Sequence, residues 1–225
     1  MNICYVILHY RNKADTVKCM ESLKKTAAQE SRLLVVDNGS GDGSGVQLQE
    51  QYRDEPRCEF MLLEQNVGFS RGNNAGYRYA KENYDPDFIV MTNNDVVFLQ
   101  LDFEEKIQQI YRETHFDVLG PDIYVPRHND HQSPMFKNGI TIPELENELA
   151  QYRWYRENPD KFNNRLRLHA FKNMLCSNVS LIRWVYTKLR GKDNMDPKVQ
   201  QEGVGLQGAC LIFSRQFLEK EEKAF

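Results

Sequence analysis

Three polar residues that could hold a metal ion, Asn93, Asn94 and Asp95, lie one residue beyond a short apolar run at residues 88–91. A continuous apolar run of this length is typical of a strand that is covered on both faces of a sheet. Ligands of open α/β sheets bind beyond the carboxyl ends of the strands. Because oxygen atoms without a basic neighbour suit a divalent cation and a phosphorylated ligand, this pattern favours an enzyme that acts on nucleotide sugars.

Two further polar loops, residues 9–12 and 37–45, also follow apolar runs and are predicted at the same edge of the sheet. A nucleotide site needs an aromatic ring against the base and a carboxylate for hydrogen bonds, and Tyr10 and Asp37 could supply them. Simpler interpretations stay open at this point. Asn12 could serve merely as a helix cap, and Tyr10 could merely cover the sheet edge. Asp37 could have no role beyond closing an Asx turn.

A fourth segment, residues 66–77, is predicted to begin a helix in which Gly72 and Gly76 lie on one face. Each interior glycine costs about 1 kcal/mol relative to alanine, so close packing of this face against the sheet is the favoured explanation. The start of a helix presents free N–H groups to an anion, and Arg71 lies beside them. We expect Arg71 to bind a phosphate group, and a solvated side chain is the alternative.

The order of the apolar patterns predicts the fold class. The predicted strands are residues 3–8, 33–36, 60–63 and 88–91, and the predicted helices follow Asn12, pass through Leu48 and Tyr52, and cover residues 70–81. The loop at 37–45 is too rich in turn-forming residues to be a strand or a helix. Strands that alternate with helices in this way require a mostly parallel sheet with right-handed crossovers, and hence an α/β fold.

Composition sets broad limits on the class of protein. The chain has 225 residues, a formal net charge of −3 and 40% hydrophobic residues, which favours one soluble domain and gives no indication of general nucleic-acid binding. Its five cysteines lie far apart without a C-x-x-C pair, as expected for reduced thiols in the cytoplasm. The first apolar run is too short for a signal peptide, and no apolar run reaches about 18 residues.

Five segments carry a resemblance to a known family. They are VVDNGSGDGS at 35–44, NVGFSRGNNAG at 66–76, NND at 93–95, LGP at 119–121 and GACLIF at 208–213. In this order they resemble the family 2 glycosyltransferases of the GT-A fold, in particular the bacterial branch, often called rhamnosyltransferase-like, that builds surface polysaccharides. The resemblance is continuous to about residue 126 and resumes at Leu206.

This resemblance implies roles for particular residues. Tyr10 and Asp37 match positions that contact the base and ribose of a nucleoside diphosphate sugar, and Arg71 matches a position near the diphosphate. The donor-binding residues that it implies are Tyr10, Asn12, Asp37, Asn66, Arg71, Asn74, Asn93 and Asn94. It also implies that residues 1–126 form the nucleotide-sugar-binding half of a single GT-A domain that spans residues 1–225.

The resemblance further implies a divalent cation, Mg²⁺ or Mn²⁺, bound by Asp95 as the last acid of a D-x-D-type motif. The sequence departs from that motif because its first position is Asn93. This departure is chemically tolerable, since Mg²⁺ commonly uses one or two protein carboxylates together with substrate phosphates and water. The cation would act as a Lewis acid toward the departing nucleoside diphosphate.

The resemblance fails from residue 140 onward, and we expect a helical insertion at 140–205. The helices predicted there are residues 144–155, 162–175 and 179–189. Between Lys161 and Lys192 there are eight Lys and Arg and no Asp or Glu. Such a segment with interleaved aromatic residues could lie on an anionic membrane, each basic residue adding about 1 kcal/mol. A solvated helical cap is the simpler alternative.

The C-terminal part of the chain lacks an evident catalytic base. Members of the family continue beyond a strand like that at 208–213 into an acidic cluster that supplies the base, whereas this sequence ends at Phe225. An inverting transfer needs a carboxylate to accept the proton of the acceptor hydroxyl. Glu202 lies nearby along the chain, but a surface role is expected for it. We expect residues 206–225 to be the incomplete start of an acceptor-side half in a truncated product, with the catalytic base unknown.

The leading hypothesis is a metal-dependent inverting glycosyltransferase of bacterial surface polysaccharide synthesis. Its donor would be a UDP- or dTDP-linked sugar, and its acceptor a saccharide or a lipid-linked molecule. We expect it in the cytoplasm, peripherally at the inner face of the membrane if residues 161–192 bind lipid. A donor-binding fragment or partner without turnover is the second hypothesis. A nucleotidyltransferase is weaker, because residues 9–12 lack the glycine-rich basic loop that this class requires.

Overall fold

A computed structural model describes residues 1–135, 141–178, 196 and 199–225. The chain divides into two compact units, of which the first comprises residues 1–133 and 206–225 and the second comprises residues 134–205. The strands are β1 (Ile3–His9), β2 (Arg32–Asp37), β3 (Cys58–Leu62), β4 (Phe88–Asn93), β5 (Val118–Leu119), β6 (Tyr124–Val125), β7 (Asp130–His131) and β8 (Cys210–Ser214). The helices are α1 (Lys13–Thr26), α2 (Ser44–Gln51), α3 (Phe69–Tyr84), α4 (Phe103–Thr114), α5 (Ile142–Glu157), α6 (Pro159–Asn178) and α7 (Arg215–Lys220).

The first unit is built on a six-stranded sheet in the order β3-β2-β1-β4-β8-β5. The four strands β1 to β4 are mutually parallel, and β8 is antiparallel to both of its neighbours, β4 and β5. The predicted α/β fold with a mostly parallel sheet is therefore confirmed. The third strand begins at Cys58, earlier than the predicted residue 60, because Cys58 pairs with Leu33 in the ladder between β2 and β3.

Apolar side chains on both faces of the sheet form the core. All seven residues of β1 are buried. Ile3, Tyr5 and Ile7 pack on one side with residues of α1 and α4, and Cys4 and Val6 pack on the other side with residues of α3. A strand that is buried on both faces favours apolar residues on both of them, which explains the continuous apolar run from Ile3 to Leu8; His9 at the end of β1 is its one polar residue.

The two glycines of α3 permit close contact between this helix and the sheet. A Cβ atom on Gly76 would lie 2.5 Å from Val6 Cγ1 and 2.7 Å from Val36 Cγ2, and a Cβ atom on Gly72 would lie 2.9 Å from Leu8 Cδ1. The packing explanation predicted for this glycine pair is thus confirmed. The close contact offsets the helix propensity that the glycines lose.

The second unit contains α5 and α6, which include the predicted helices at 144–155 and 162–175. A capping box between Thr141 and Glu144 begins α5, and none of the residues of α5 is buried. The helix predicted at 179–189 lies outside the described residues. In the part of the chain that the structure describes, no helix combines the length and apolar character that a membrane crossing requires.

Candidate functional site

The register of the parallel strands brings three polar loops to one edge of the sheet. His9 at the end of β1 pairs with Asp37 at the end of β2, and Leu8 pairs with Asn93 at the end of β4. The segments that leave these three strands therefore begin side by side. This carboxyl edge is the position at which open α/β sheets bind their ligands.

Asp37 is buried at this edge and has one carboxylate oxygen without a partner in the described structure. Its Oδ1 atom accepts hydrogen bonds from the backbone N–H of Ser40 (3.1 Å) and from Ser40 Oγ (2.5 Å). Its Oδ2 atom faces Gly45, where a Cβ atom would lie only 2.1 Å away. Asp37 thus closes its own loop, as the simpler interpretation proposed, and still has Oδ2 for a ligand.

Gly45 also corrects the predicted extent of the loop after β2. The sequence predicts a loop over residues 37–45, whereas α2 already begins at Ser44. The first turn of this helix passes against the Asp37 side chain, and only a residue without a side chain fits there. The glycine that looked like a turn former is therefore a contact residue within a helix.

The loop after β1 is joined to the loop after β2 by two hydrogen bonds from Arg11 to Ser40. Arg11 has a left-handed backbone conformation with φ of 62°. Its backbone N–H donates to Ser40 Oγ (2.8 Å), and its Nε–H donates to the carbonyl oxygen of Ser40 (3.3 Å). The Arg11 guanidinium carbon lies 4.9 Å from the centre of the Tyr10 ring, and the Tyr10 side chain is exposed. An exposed aromatic ring therefore lies at the edge next to Asp37.

The Asn12 side chain acts as a helix cap. Its Oδ1 atom accepts a hydrogen bond from the backbone N–H of Asp15 (3.4 Å), and its Nδ2 donates to Asp15 Oδ2 (2.5 Å). Both polar atoms of the amide are therefore engaged at the start of α1. The structure places Asn12 at the predicted edge, in the simpler of its two proposed roles.

The three residues after β4 have different surroundings. Asn94 Nδ2 donates to Thr16 Oγ1 (2.9 Å) and to the carbonyl oxygen of Asn12 (3.3 Å), which ties the turn to α1. The turn is closed by the backbone N–H of Val96, which donates to the carbonyl oxygen of Asn93 (3.4 Å). Asp95 is exposed, and it forms neither a hydrogen bond nor an ion pair with any described residue. Asp95 is thus the accessible carboxylate of this turn.

Asn66 belongs to a turn that Asn38 holds in place before α3. Asn38 Nδ2 donates to Asn66 Oδ1 (3.3 Å) and to the carbonyl oxygen of Gly68 (3.2 Å), and Asn38 Oδ1 accepts from the backbone N–H of Val67 (3.1 Å). Asn66 Oδ1 also accepts from the backbone N–H of Gly68 (2.8 Å). The turn that leads into α3 is therefore anchored to the loop after β2.

Arg71 and Asn74, both on α3, have contrasting surroundings. Arg71 is exposed in the first turn, without a hydrogen bond or ion pair to the described residues, as a phosphate-binding residue needs. Asn74 is buried, and its Oδ1 accepts from the backbone N–H groups of Ala224 (2.9 Å) and Phe225 (3.0 Å). Its Nδ2 donates to the carbonyl oxygen of Phe225 (2.5 Å). The structure thus joins Asn74 to the C-terminal segment rather than to the polar loops.

His9 was predicted as part of the polar loop at residues 9–12 but was given no role, and the structure places it at the end of β1. It is completely buried, with Nδ1 at 2.7 Å from Thr16 Oγ1 and Nε2 at 2.8 Å from Ser44 Oγ. Burial lowers the pKa of His9 below its ordinary value, although the nearby carboxylates Asp37 and Asp42 act in the opposite direction. A detectable signal was present in the sequence, because His9 is the one polar residue that ends a wholly apolar strand.

The residues at this edge could hold a cation only together with oxygen atoms of a ligand. Across the described ranges, no three His, Cys, Asp or Glu side chains converge into a metal cluster. The protein would contribute Asp95 and the neutral oxygen of Asn93, and phosphate and water oxygens would complete the coordination of a hard cation. The donor set therefore suits Mg²⁺ or Mn²⁺ bound together with a diphosphate.

The sheet order and the flanking helices are those of the GT-A fold, the nucleotide-diphospho-sugar transferase class. The chain belongs to Glycosyl transferase family 2, whose sequence profile matches residues 4–220. The hyaluronan synthase of Streptococcus pyogenes is 25% identical over 123 residues, which cover 52% of this chain and 29% of that protein. The low-salt glycan biosynthesis hexosyltransferase Agl10 of Haloferax volcanii is 22% identical over 122 residues, which cover 54% of this chain and 36% of that protein.

The chain thus spans about a third of the length of the curated relatives that it matches. Among solved structures, the crystal structure of residues 1–349 of S. aureus TarS aligns with a TM-score of 0.50 and 21% identity. The alignment covers 63% of this chain and 42% of TarS 1–349. At this level of identity the likeness shows the fold alone, and it agrees with the GT-A fold predicted from the sequence.

Proposed function

We propose that this chain binds a nucleoside diphosphate sugar at the carboxyl edge of its sheet and takes part in transfer of the sugar, with inversion, to an acceptor. The observation that carries the proposal is the pairing of His9 with Asp37 and of Leu8 with Asn93. This register aligns a buried carboxylate that has one unpaired oxygen with a turn that bears an exposed carboxylate. Family membership supports the same function.

The nucleoside would occupy the side of the edge formed by the loops after β1 and β2. Tyr10 offers an exposed ring to the base, and Asp37 Oδ2 can accept a hydrogen bond from a base N–H or a ribose hydroxyl. Asn38 and Asn66 would support this side indirectly, because their hydrogen bonds hold the turn before α3. This assignment keeps residues 1–126 as the donor-binding half.

The diphosphate would lie between Arg71 and the turn after β4. The Arg71 guanidinium is exposed at the start of α3, where it can form charge-assisted hydrogen bonds with phosphate oxygens. Asp95, with Asn93, would hold Mg²⁺ or Mn²⁺ against the same phosphates. The bound cation would supply Lewis-acid stabilisation of the charge on the departing nucleoside diphosphate.

We further propose a saccharide or lipid-linked acceptor in polysaccharide synthesis, in the cytoplasm and at the inner face of the membrane. Support for a membrane surface comes from α6, where the basic side chains of Lys161, Arg165 and Arg167 and the apolar side chains of Leu166 and Leu168 are all exposed. A helix with exposed basic and apolar residues can lie on an anionic bilayer. Binding to anionic vesicles but not to neutral ones, with loss at high salt, is the expected result.

A thermal-stability screen tests the donor site directly. UDP, dTDP and GDP, each with and without Mn²⁺, would be added to the wild type, to Asp95→Ala and to the control Asp54→Ala, which removes another exposed carboxylate. A nucleotide at a hundred times its Kd should add about 2.7 kcal/mol to the free energy of unfolding. We expect Asp95→Ala alone to lose the Mn²⁺-dependent part, and a wild type that no nucleotide stabilises would contradict the proposal.

A turnover assay then distinguishes transfer from donor binding without turnover. The protein would be incubated with a nucleotide sugar and Mn²⁺, and release of the nucleoside diphosphate would be measured with and without a saccharide acceptor. Acceptor-dependent release supports a transferase. Nucleotide binding without any release would favour a donor-binding protein, the second function predicted from the sequence.

A further inference from the structure

A series of hydrogen bonds, buried at His9 and partly buried at its two ends, joins the loop after β2 to the turn after β4. On one side, His9 Nε2 contacts Ser44 Oγ, which donates to Asp42 Oδ1 (2.5 Å). On the other side, His9 Nδ1 contacts Thr16 Oγ1, which accepts from Asn94 Nδ2 (2.9 Å). Ser44, His9 and Thr16 are all buried. These hydrogen bonds therefore connect, through the protein interior, the two segments that we propose to face the donor.

The direction of each hydrogen bond follows from the chemistry at the Asp42 end. Hydrogen bonds from Ser44 hold the pKa of Asp42 below its ordinary value, so this carboxylate only accepts. The single hydroxyl proton of Ser44 goes to Asp42, and Ser44 Oγ must then accept the proton of His9 Nε2. In a neutral imidazole this leaves Nδ1 as an acceptor, which takes the hydroxyl proton of Thr16 at 2.7 Å.

Each hydrogen bond along this series has one defined direction, and the carbonyl oxygen of Asn12 lies within reach of both Thr16 Oγ1 (3.2 Å) and Asn94 Nδ2 (3.3 Å). The Asn94 amide donates to Thr16, Thr16 donates to His9, His9 donates to Ser44, and Ser44 donates to Asp42. A buried network in which each member is satisfied holds its members rigidly, because the loss of any link leaves a polar group unpaired. Within the described residues, no side-chain nitrogen or oxygen atom that is wholly shielded from solvent lacks a partner.

We infer that His9 is a positioning residue that sets the turn carrying Asp95 relative to the loop carrying Asp37, an inference that rests on the proposed donor site. His9 is completely buried, so it acts through Thr16 and Ser44 rather than by touching the donor. Asn94 and Asp95 are neighbours in the turn that Val96 closes. When the Asn94 amide is held, the backbone of the turn is restrained, and with it the place from which the Asp95 side chain extends.

The test measures how strongly Mn²⁺ improves nucleotide binding. Calorimetry with UDP, dTDP and GDP gives Kd with and without Mn²⁺, and the ratio of the two values is the metal-dependent gain. Thr16→Val, which removes the hydroxyl between His9 and Asn94, should lower this gain about tenfold and leave the metal-free Kd unchanged. His9→Phe should also lower the gain, and His9→Gln, which keeps one donor and one acceptor, should restore part of it.

The matched control is Thr26→Val, the same change on the same helix. The Thr26 hydroxyl donates to the carbonyl oxygen of Ser22 (3.0 Å), about 15 Å along α1 from Thr16. This variant should retain the wild-type gain. If His9→Phe does not fold, Thr16→Val still decides the question, because it keeps the imidazole.

The outcomes separate the inference from the proposed function. If Thr16→Val keeps the metal-dependent gain of the wild type, or loses affinity equally with and without Mn²⁺, the positioning role is overturned and donor binding is left intact. A wild type that binds none of the three nucleotides would overturn the proposed function and the inference together. A selective loss of the metal-dependent gain that His9→Gln partly restores supports the inference.

Discussion

Gly45 and Asp37 are in direct contact, and a Cβ atom on Gly45 would lie 2.1 Å from Asp37 Oδ2. Oδ2 is the carboxylate oxygen that we assign to the nucleoside, since Ser40 occupies Oδ1. The first turn of α2 therefore sets the position of the Asp37 side chain. Under the proposed function, this contact makes a glycine, rather than a polar residue, a determinant of the donor site.

Gly45→Ala should displace the Asp37 carboxylate and weaken nucleotide binding. An added methyl group in a closely packed place costs about 1–3 kcal/mol, and part of that cost is relieved when the carboxylate moves. Urea denaturation measures the loss of stability, and calorimetry with UDP, dTDP and GDP measures the loss of affinity. Gly208→Ala is the control, because a Cβ atom there meets no atom within 4 Å. Wild-type affinity in Gly45→Ala would contradict the role of Asp37.

Arg71→Ala should weaken nucleoside diphosphate binding and leave stability unchanged. The side chain is exposed and has no partner among the described residues, so its removal breaks no intramolecular contact. A hydrogen bond to a charged group contributes about 1.5–3 kcal/mol, which corresponds to a loss of affinity of about tenfold or more. Calorimetry with the diphosphate and with the free nucleoside would show whether the loss is confined to the diphosphate.

Arg78→Ala serves as the matched control for this prediction. Arg78 lies on the same helix, α3, and is likewise exposed, but it is about two turns further along the helix than Arg71. We expect wild-type affinity for this variant. An equal loss in Arg71→Ala and Arg78→Ala would indicate a general effect of net charge rather than a phosphate contact.

Asn74→Ala should destabilise the first unit. The variant leaves two backbone N–H groups and one carbonyl group of Ala224 and Phe225 without their partner. Ala224 is half-buried and Phe225 is exposed, so water can replace part of the lost contact, and the expected cost is that of a typical intramolecular hydrogen bond, about 0.5–1.5 kcal/mol. Urea denaturation would measure the loss, with Asn83→Ala on the exposed side of α3 as the control. A loss of nucleotide affinity at unchanged stability would instead favour the donor-binding role that the family resemblance implied.

Stability should fall with rising pH in the alkaline range, in part because of Tyr77. Burial, with the nearby charge of Glu221, raises the pKa of Tyr77 from 10.0 to about 12. Between these values the unfolded chain releases the phenolic proton and the folded chain keeps it, so the free energy of unfolding decreases as pH rises. Urea denaturation above about pH 10 should show a shallower decrease for Tyr77→Phe than for the wild type. Parallel curves would exclude this contribution.

The alternation of strands and helices was predictable because strands that are buried on both faces appear in the sequence as continuous apolar runs. The runs at 3–8, 33–36 and 88–91 are apolar throughout, since both faces of β1, β2 and β4 are covered. The glycines of α3 were predictable for a similar reason, because their cost in helix propensity needs a packing explanation. Boundaries were less accurate, as at β3, because ladder pairing with β2 decides where that strand begins.

The sequence by itself determined the fold class, the family and the set of polar residues at the ends of the strands. Only the tertiary structure decided what each of them contacts. His9 bonds to Ser44, 35 residues away, and Asn74 bonds to Phe225, 151 residues away. The apolar pattern of a segment indicates which of its residues are buried, and this pattern can be read from that segment alone. A hydrogen bond of a short polar side chain depends instead on which distant loops the register of the sheet brings within about 3 Å.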